Sequence, residues 1–285
     1  MSWQILVAIA TITYSISVVL QRVLMKDDKS DPIAYSIVFQ LLVGIITGIY
    51  AILHGFSLPN LTPVIPNLIL VGLLYGLGNM LVFKALKTID ASEFTIVFAS
   101  RTIWVVIGAI LFLKESFSLQ QTMGTLLIIG SIILVSWKRN KIMLGSGIWT
   151  ALLAAIFMGA GFTNDAFIVS AFDSFDVPSY VTIAFIIPAL FVWALYPKAT
   201  KSMKHLLTKD NIFKLVILAA IYAISCITIF LAYQVGKNAS QIAPLNQTST
   251  ILTVLLSMIF LGERSEYLKK ILGAIISFIG VLLVK

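Results

Sequence analysis

Charge is scarce in this chain. Only 11% of its 285 residues are Asp, Glu, Lys or Arg, against roughly 25% in ordinary soluble domains. A soluble protein of this length could not cover its surface with so few charges. Cysteine is scarcer still. Cys226 is the single one, so an intramolecular disulfide is excluded, and its apolar setting reads as a small core residue. The two histidines, His54 and His205, fall in separate loops with no partner at ligand spacing. No metal or other cofactor is assigned. There is no Gly-x-x-x-x-Gly-Lys-Ser/Thr run to cradle phosphates, so ATP does not drive the protein directly. The apolar runs hold no His-rich cluster, no Ser/His/Asp set and no paired carboxylates, which argues against an intramembrane enzyme.

What is abundant is hydrophobicity, at 59% of residues with a mean hydropathy of +1.02. A spanning helix needs about 20 mostly apolar residues. Ten such runs are present, at 4–24, 33–53, 64–86, 91–113, 119–137, 146–170, 177–196, 212–235, 240–261 and 268–284. They are long, uniformly apolar and rich in Leu, Ile and Ala, whereas barrel strands would be short and alternating. The expectation is an all-α, multi-pass cell-membrane protein of ten transmembrane helices. The first run lacks a basic flank and is too long for a signal-peptide core, so it reads as the first span.

The net charge of +8 raises the question of nucleic acid. The basic residues sit at helix ends and in loops, without interleaved base-stacking aromatics, so no nucleic-acid partner is expected. Sixteen of the 20 Lys and Arg residues lie around the loops after spans 1, 3, 5, 7 and 9, and only Lys114 and Lys237 in the other loops. The positive-inside rule makes the first set cytoplasmic and both termini external. The basic stretch 198–214 reads as a solvated face that can also touch anionic lipid headgroups. Lys84 and Lys87 with Asp90 and Glu93 also read as a solvated face.

The chain repeats itself. Trp3, Pro32 and Phe39 correspond to Trp149, Pro178 and Phe185 at an offset of 146. Tyr75, Phe83 and Ala85 correspond to Tyr222, Phe230 and Ala232 at 147. Ala91-Ser92 matches Ala239-Ser240, and Phe112-Leu113-x-Glu115 matches Phe260-Leu261-x-Glu263, at 148. Gly124 corresponds to Gly273 at 149. An ordered series whose offset drifts by one residue at a time is hard to obtain by chance. Each half, 1–142 and 143–285, would hold five spans. Five is odd, so the second copy would be inverted. Inverted repeats are an architecture of secondary transporters, with the substrate site near the midplane between them.

These motifs carry a family resemblance over essentially the whole chain. Ala85-Leu86-Lys87, Ala91-Ser92, Phe112-Leu113-Lys114-Glu115, Gly124 and Gly130 stand in the first half. Ala232-Tyr233-Gln234, Ala239-Ser240, Pro244, the Leu261-Gly262-Glu263-Arg264 stretch, Gly273 and Gly280 stand in the second. The pattern resembles the drug/metabolite transporter superfamily, EamA type. Two features depart from it: Ile96 stands where Pro244 stands in the second half, and the N-terminus is not basic. The resemblance implies a secondary transporter, an exporter or exchanger, of a small polar metabolite, with amino acids among the candidates. The alternatives are efflux of drugs or lipophilic cations and, further off, a lipid-handling enzyme or a scaffold. Partners would be the substrate and membrane lipids. Ten helices suffice for a site in one chain, so monomer and homodimer both remain open.

Polar groups at membrane depth are the candidate site. An unpaired arginine there costs about 2.5–3.5 kcal/mol on insertion scales, so Arg101, in the fourth span, should face a cavity and a partner. Asp165, in the sixth, is the one acid well inside a span. Neither is matched in the other half, where Ser249 and Val19 stand. The two could pair with each other. They could instead hold the carboxylate and ammonium of a zwitterion, or Asp165 could carry a coupling proton. Tyr14, Asn79, Asn246 and Gln247 complete the polar set, as solute contacts or as bridges between helices. The repeat mates Tyr75 and Tyr222 could form two walls of one cavity, and Trp104, three residues from Arg101, could stack on the cation. Glu115 and Glu263 read as structural, each suiting the positive N-terminal end of the last helix of its half. Gly124, Gly130, Gly273 and Gly280 read as close-contact points tying each half together. Pro188 should kink the seventh span.

Overall fold

The computed structural model describes residues 1–27, 29–113, 118–138, 141–142, 145–170, 176–206, 208–236, 242, 245–246 and 248–284. The described chain is helical apart from a two-residue antiparallel pairing of Trp137–Lys138 with Lys141–Ile142. The helices are α1 (Trp3–Met25), α2 (Pro32–Leu53), α3 (Ile65–Thr88), α4 (Ala91–Phe98), α5 (Arg101–Leu113) and α6 (Leu119–Ser136) in the first half. The second half holds α7 (Ser146–Ser170), α8 (Val177–Leu195), the short α9 (Thr200–Leu206), α10 (Lys209–Gly236), α11 (Ser249–Phe260) and α12 (Tyr267–Val284).

Local chemistry explains these elements. Asp31 accepts from the Ile33 and Ala34 amides to cap α2, whose first residue is Pro32. Asp176 caps α8 in the same way, through the Ser179 amide, and Ser118 with Gln121 forms a capping box on α6. Caps satisfy amide donors that a helix start leaves without partners. Inside the helices, hydroxyls bond back one turn, as Thr13 does to the Ile9 carbonyl (2.6 Å) and Thr47 to the Val43 carbonyl (2.9 Å). Their polar groups are thereby hidden from lipid. Large apolar side chains point outward. Leu111, Phe213, Ile259 and Phe260 are each more than 60% exposed. A surface of that kind is stable against hydrocarbon, not water.

Among the described residues, seven helices are able by length and composition to cross a membrane: Trp3–Met25, Pro32–Leu53, Thr62–Thr88, Leu119–Ser136, Ser146–Asp165, Val177–Leu195 and Asn211–Ala232. This is a multi-pass membrane protein. The tenth expected span corresponds to α12. The expected ninth, 240–261, is helical at 242, 245 and 246 among its described early residues, turns at Thr248 and is a continuous helix from Ser249 to Phe260. The expected fourth, 91–113, is not continuous. It divides at Ala99-Ser100 into α4 and α5. Through the break the Ser100, Thr102 and Ile103 amides bond to the Val97, Ala99 and Ser100 carbonyls, three residues back rather than four. A tightened turn of this kind marks interrupted helices, and here it forms with Ile96 in place of a proline.

Packing follows the repeat. The halves exchange α1 with α7, α2 with α8, α3 with α10, α5 with α11 and α6 with α12. Under that exchange the packing of α1 on α10 becomes that of α7 on α3, and α5 on α7 becomes α11 on α1. The α2–α8 and α6–α12 pairs map onto themselves. In the last of these, a Cβ added at Gly280 would lie 2.9 Å from the Gly124 carbonyl oxygen. Gly124 and Gly280 therefore join the two halves to each other, not the helices within one half. Gly273, against Val135, does the same, and Gly130 meets open space. Pro188 lies inside α8, its carbonyl close to Gly76.

Candidate functional site

Loops gather on two faces. On the basic face, the Lys26 ammonium donates to the Leu261 carbonyl (3.4 Å), Lys87 to the Ser30 carbonyl and Lys269 to the Trp137 carbonyl (2.9 Å). On the opposite face, the Ser57 amide donates to the Ser179 hydroxyl (3.0 Å). The structure therefore brings together loops after spans 1, 3, 5 and 9 on one side and after spans 2 and 6 on the other.

Between the faces, Arg101 begins α5 at the break in the fourth span. Ser249, its match in the other half, begins α11. Both halves therefore restart a helix at the same repeat position. The Arg101 guanidinium lies 4.7 Å from the Phe98 ring centre, 5.7 Å from that of Phe162 and 5.8 Å from that of Tyr14. Its Nη1 donates to the Tyr14 hydroxyl at 3.2 Å. Tyr14 leads on to Tyr222 (ring centres 6.1 Å apart), which sits edge-on to Phe39 (5.0 Å) and Phe185 (5.9 Å). Helices α1, α2, α8 and α10 thus meet α4, α5 and α7 around one aromatic cluster holding a single cation. Close approach of α5 to α7 is permitted by Gly159, where an added Cβ would stand 2.6 Å from both the Arg101 carbonyl oxygen and the Trp104 Cβ. Asn246 joins the rim, its side-chain oxygen accepting from the Thr11 hydroxyl at 3.4 Å. Gln247 lies outside the described residues.

Asp165 stands beyond this cluster, reached from Phe162 through Tyr75. It is five residues from the end of α7, about 8 Å along the axis, and so nearer the face opposite the basic one. Its two oxygens accept from the hydroxyls of Tyr75 on α3 and Tyr180 on α8, each at 2.5 Å. Beside it the Asn67 amide donates to the Asn164 side-chain oxygen (2.7 Å), and the Asn164 amide to the Asn67 carbonyl (3.0 Å). Among the described residues no ion pair joins Asp165 to Arg101, because two phenols already satisfy the carboxylate. Tyr75 serves Asp165 and also meets Phe162, a ring of the Arg101 cluster, edge-on with ring centres 6.0 Å apart, while Tyr222 belongs to that cluster. Asn79 bridges, donating to the Gln40 side-chain oxygen (3.2 Å) and the Tyr75 carbonyl (3.1 Å). Trp104 is not among the rings over the guanidinium in the described residues. Asp165→Ala is expected to lower the unfolding temperature in detergent by more than Tyr75→Phe does. It leaves two hydroxyl donors without an acceptor, at about 1–3 kcal/mol each.

A second polar cluster closes the basic face. The Glu263 carboxylate accepts from the Ala91 amide (3.0 Å), the Ser92 amide (3.1 Å) and the Ser92 hydroxyl (2.8 Å). It therefore caps α4, in the other half of the chain, rather than the helix that follows it. Asp90 pairs with Lys270 (2.6 Å) and Arg22 (3.6 Å), and the Arg22 Nε stands 3.7 Å from Glu263. Asp90 is thus tied into a network and Glu93 is buried, so this stretch is not a solvated face. Glu115, the repeat mate of Glu263, lies outside the described residues, as do Lys114, Lys237, Ala239, Ser240 and Pro244.

Tyr180, Gln40, Phe98, Phe162, Phe39 and Phe185 were not expected at these sites. Phe39 and Phe185 did leave a sign, as mid-span aromatics retained at the same place in both halves. The others are single apolar or polar letters in apolar runs.

None of the curated proteins matches the chain. One solved structure, described only as "Crystal structure of protein", is similar over 96% of each chain with a TM-score of 0.58 at 14% identity. That likeness supports the fold alone. The sequence itself matches the EamA-like transporter family twice, over residues 1–137 and again over 145–285. With its multi-pass apolar helices and duplicated halves, the chain belongs to the EamA-like transporter family.

Proposed function

We propose that the protein is a secondary transporter working by alternating access, with ten spans in two five-helix halves, 1–142 and 143–285, of opposite orientation. The observation that carries this reading is the pair of helix restarts at Arg101 and Ser249. Interrupted helices expose backbone groups at membrane depth, which lipid does not tolerate, so they belong around a ligand cavity. The exchange-related packing supplies two arrangements of similar energy, related by swapping the halves. The Glu263 network holds one face shut in the present arrangement. Basic loops make that face cytoplasmic.

The substrate in this reading is a small polar metabolite that moves outward or by exchange. It is held between the halves by Arg101, Tyr14 and Tyr222, with Asn246 beside them. Asp165 fixes α3, α7 and α8 against one another. The test is counterflow in proteoliposomes. Vesicles holding the purified protein are loaded with a mixture of metabolites, and exchange against labelled solutes is followed by mass spectrometry. At least one solute should exchange faster than in protein-free vesicles, and Arg101→Gln should remove the difference. A panel in which no solute exchanges would end the transporter reading.

A further inference from the structure

We infer that the central site selects a small organic anion, a carboxylate on an aromatic or apolar body, over a zwitterion or a cation. The inference rests on the transporter reading and narrows it to a substrate class.

Three observations carry it. First, the Arg101 guanidinium has donors to spare. It offers five N–H groups in a planar fork suited to a carboxylate. Among the described residues only the Tyr14 hydroxyl accepts from it, at 3.2 Å. Its nitrogens are also absent from the buried, unpartnered polar atoms of the described residues, so they border accessible space. Second, the surfaces around that fork are rings: Phe98, Phe162 and Tyr14 within 6 Å of the guanidinium carbon, with Tyr222 next in line. Such walls accept a flat apolar body by stacking and exclude water, which strengthens a charged hydrogen bond inside them.

Third, among the described residues the Arg101 cluster shows no acid beside the guanidinium to receive an ammonium. Asp165 lies toward the opposite face and already accepts at both oxygens from Tyr75 and Tyr180 at 2.5 Å, and Glu93 lies on α4 eight residues before Arg101, toward the basic face. Asp90 and Glu263 are spent on Arg22, Lys270 and the start of α4 at the basic face. A cation in the central site would meet Arg101 with ring faces but no carboxylate beside it among the described residues, and a ring face offsets far less than a full opposite charge. A zwitterion would gain the carboxylate contact and bury an unpaired ammonium. A monoanion gains the first without the second.

Four compounds sharing one phenyl ring separate these cases: 3-phenylpropanoate, phenylalanine, 2-phenylethylamine and 3-phenylpropanol. Binding to the purified full-length protein in nanodiscs is measured by calorimetry. The propanoate should bind roughly tenfold or more tighter than phenylalanine, and the amine and alcohol more weakly again. Arg101→Lys keeps the charge and loses the fork, so it should weaken the propanoate alone. Arg101→Gln should abolish its binding. Phenylalanine or the amine binding as tightly as the acid, none of the four binding, or an acid affinity unchanged in both variants would each overturn the inference. Uptake of the same compounds into proteoliposomes keeps the two readings apart. If the acid binds and no solute is carried, the anion class stands and transport falls. If phenylalanine or the amine is carried and the acid is not, transport stands and the anion class falls.

Discussion

Glu263→Gln should open the basic face. The reporter is a cysteine in place of Val18, in a background where Cys226, the chain's single cysteine, is replaced by alanine. Val18 is 3% exposed and lies one helical turn from Tyr14 on one side and Arg22 on the other, on the same face of α1. It is therefore positioned between the central cluster and the closing network. In the present arrangement a water-soluble thiol reagent should reach it slowly. The Glu263 carboxylate binds two backbone amides and a hydroxyl of the other half, and it faces the Arg22 Nε, a buried nitrogen with no hydrogen-bond partner among the described residues. In the alternating-access reading these contacts exist only while the face is shut. Hydrogen bonds to a charged group contribute about 1.5–3 kcal/mol. Losing that differential between two states shifts their ratio by roughly ten- to a hundredfold. The labelling rate should rise by the same factor, and Lys201→Gln, at an exposed lysine of α9 outside this network, should leave it unchanged. A labelling rate that stays put in Glu263→Gln would show that the network does not govern access.

The contrast between Glu263 and Asp165 shows what a sequence of this kind discloses. The membrane class and the duplication were both legible, because each is a property of many residues at once. Arg101 was legible as a candidate for a different reason: a cation in an apolar run is costly wherever the chain folds. What was not legible is pairing across the bundle. Nothing local in Asn164-Asp165 indicates that phenols from α3 and α8 will meet the carboxylate. Nothing around Glu263 indicates that it caps a helix some 170 positions earlier. Both partners are fixed by how the halves pack. The break at Ala99-Ser100 was hidden as well. Sequence reasoning looks for proline or glycine at such a point, and here the interruption falls at Ala99-Ser100 with neither, at the repeat position where α11 begins at Ser249.

Gly159→Ala should cost the protein its ligand while leaving it folded. The added methyl carbon would fall 2.6 Å from the Arg101 carbonyl oxygen, 2.6 Å from the Trp104 Cβ and 3.4 Å from the Val105 nitrogen. Backbone atoms cannot rotate aside, so α5 must retreat from α7 as a unit. Overpacking of this sort costs about 1–3 kcal/mol, a loss that shows as a lower unfolding temperature. The functional effect should be larger than the stability effect, because α5 carries Arg101 at its first turn. Moving that helix withdraws the guanidinium from Tyr14 and Phe162, and misplacing a charged contact by about an ångström is worth up to a hundredfold. The matched control is Gly130→Ala, where an added Cβ meets nothing within 4 Å, and neither stability nor binding should change. Gly280→Ala separates the two effects. Its Cβ would strike the Gly124 carbonyl oxygen at 2.9 Å, at the α6–α12 seam away from Arg101. It should lower the unfolding temperature as Gly159→Ala does and leave ligand affinity near that of the unmodified protein. Equal losses of affinity in the two variants would mean that the bundle's general integrity, rather than the placement of Arg101, sets binding.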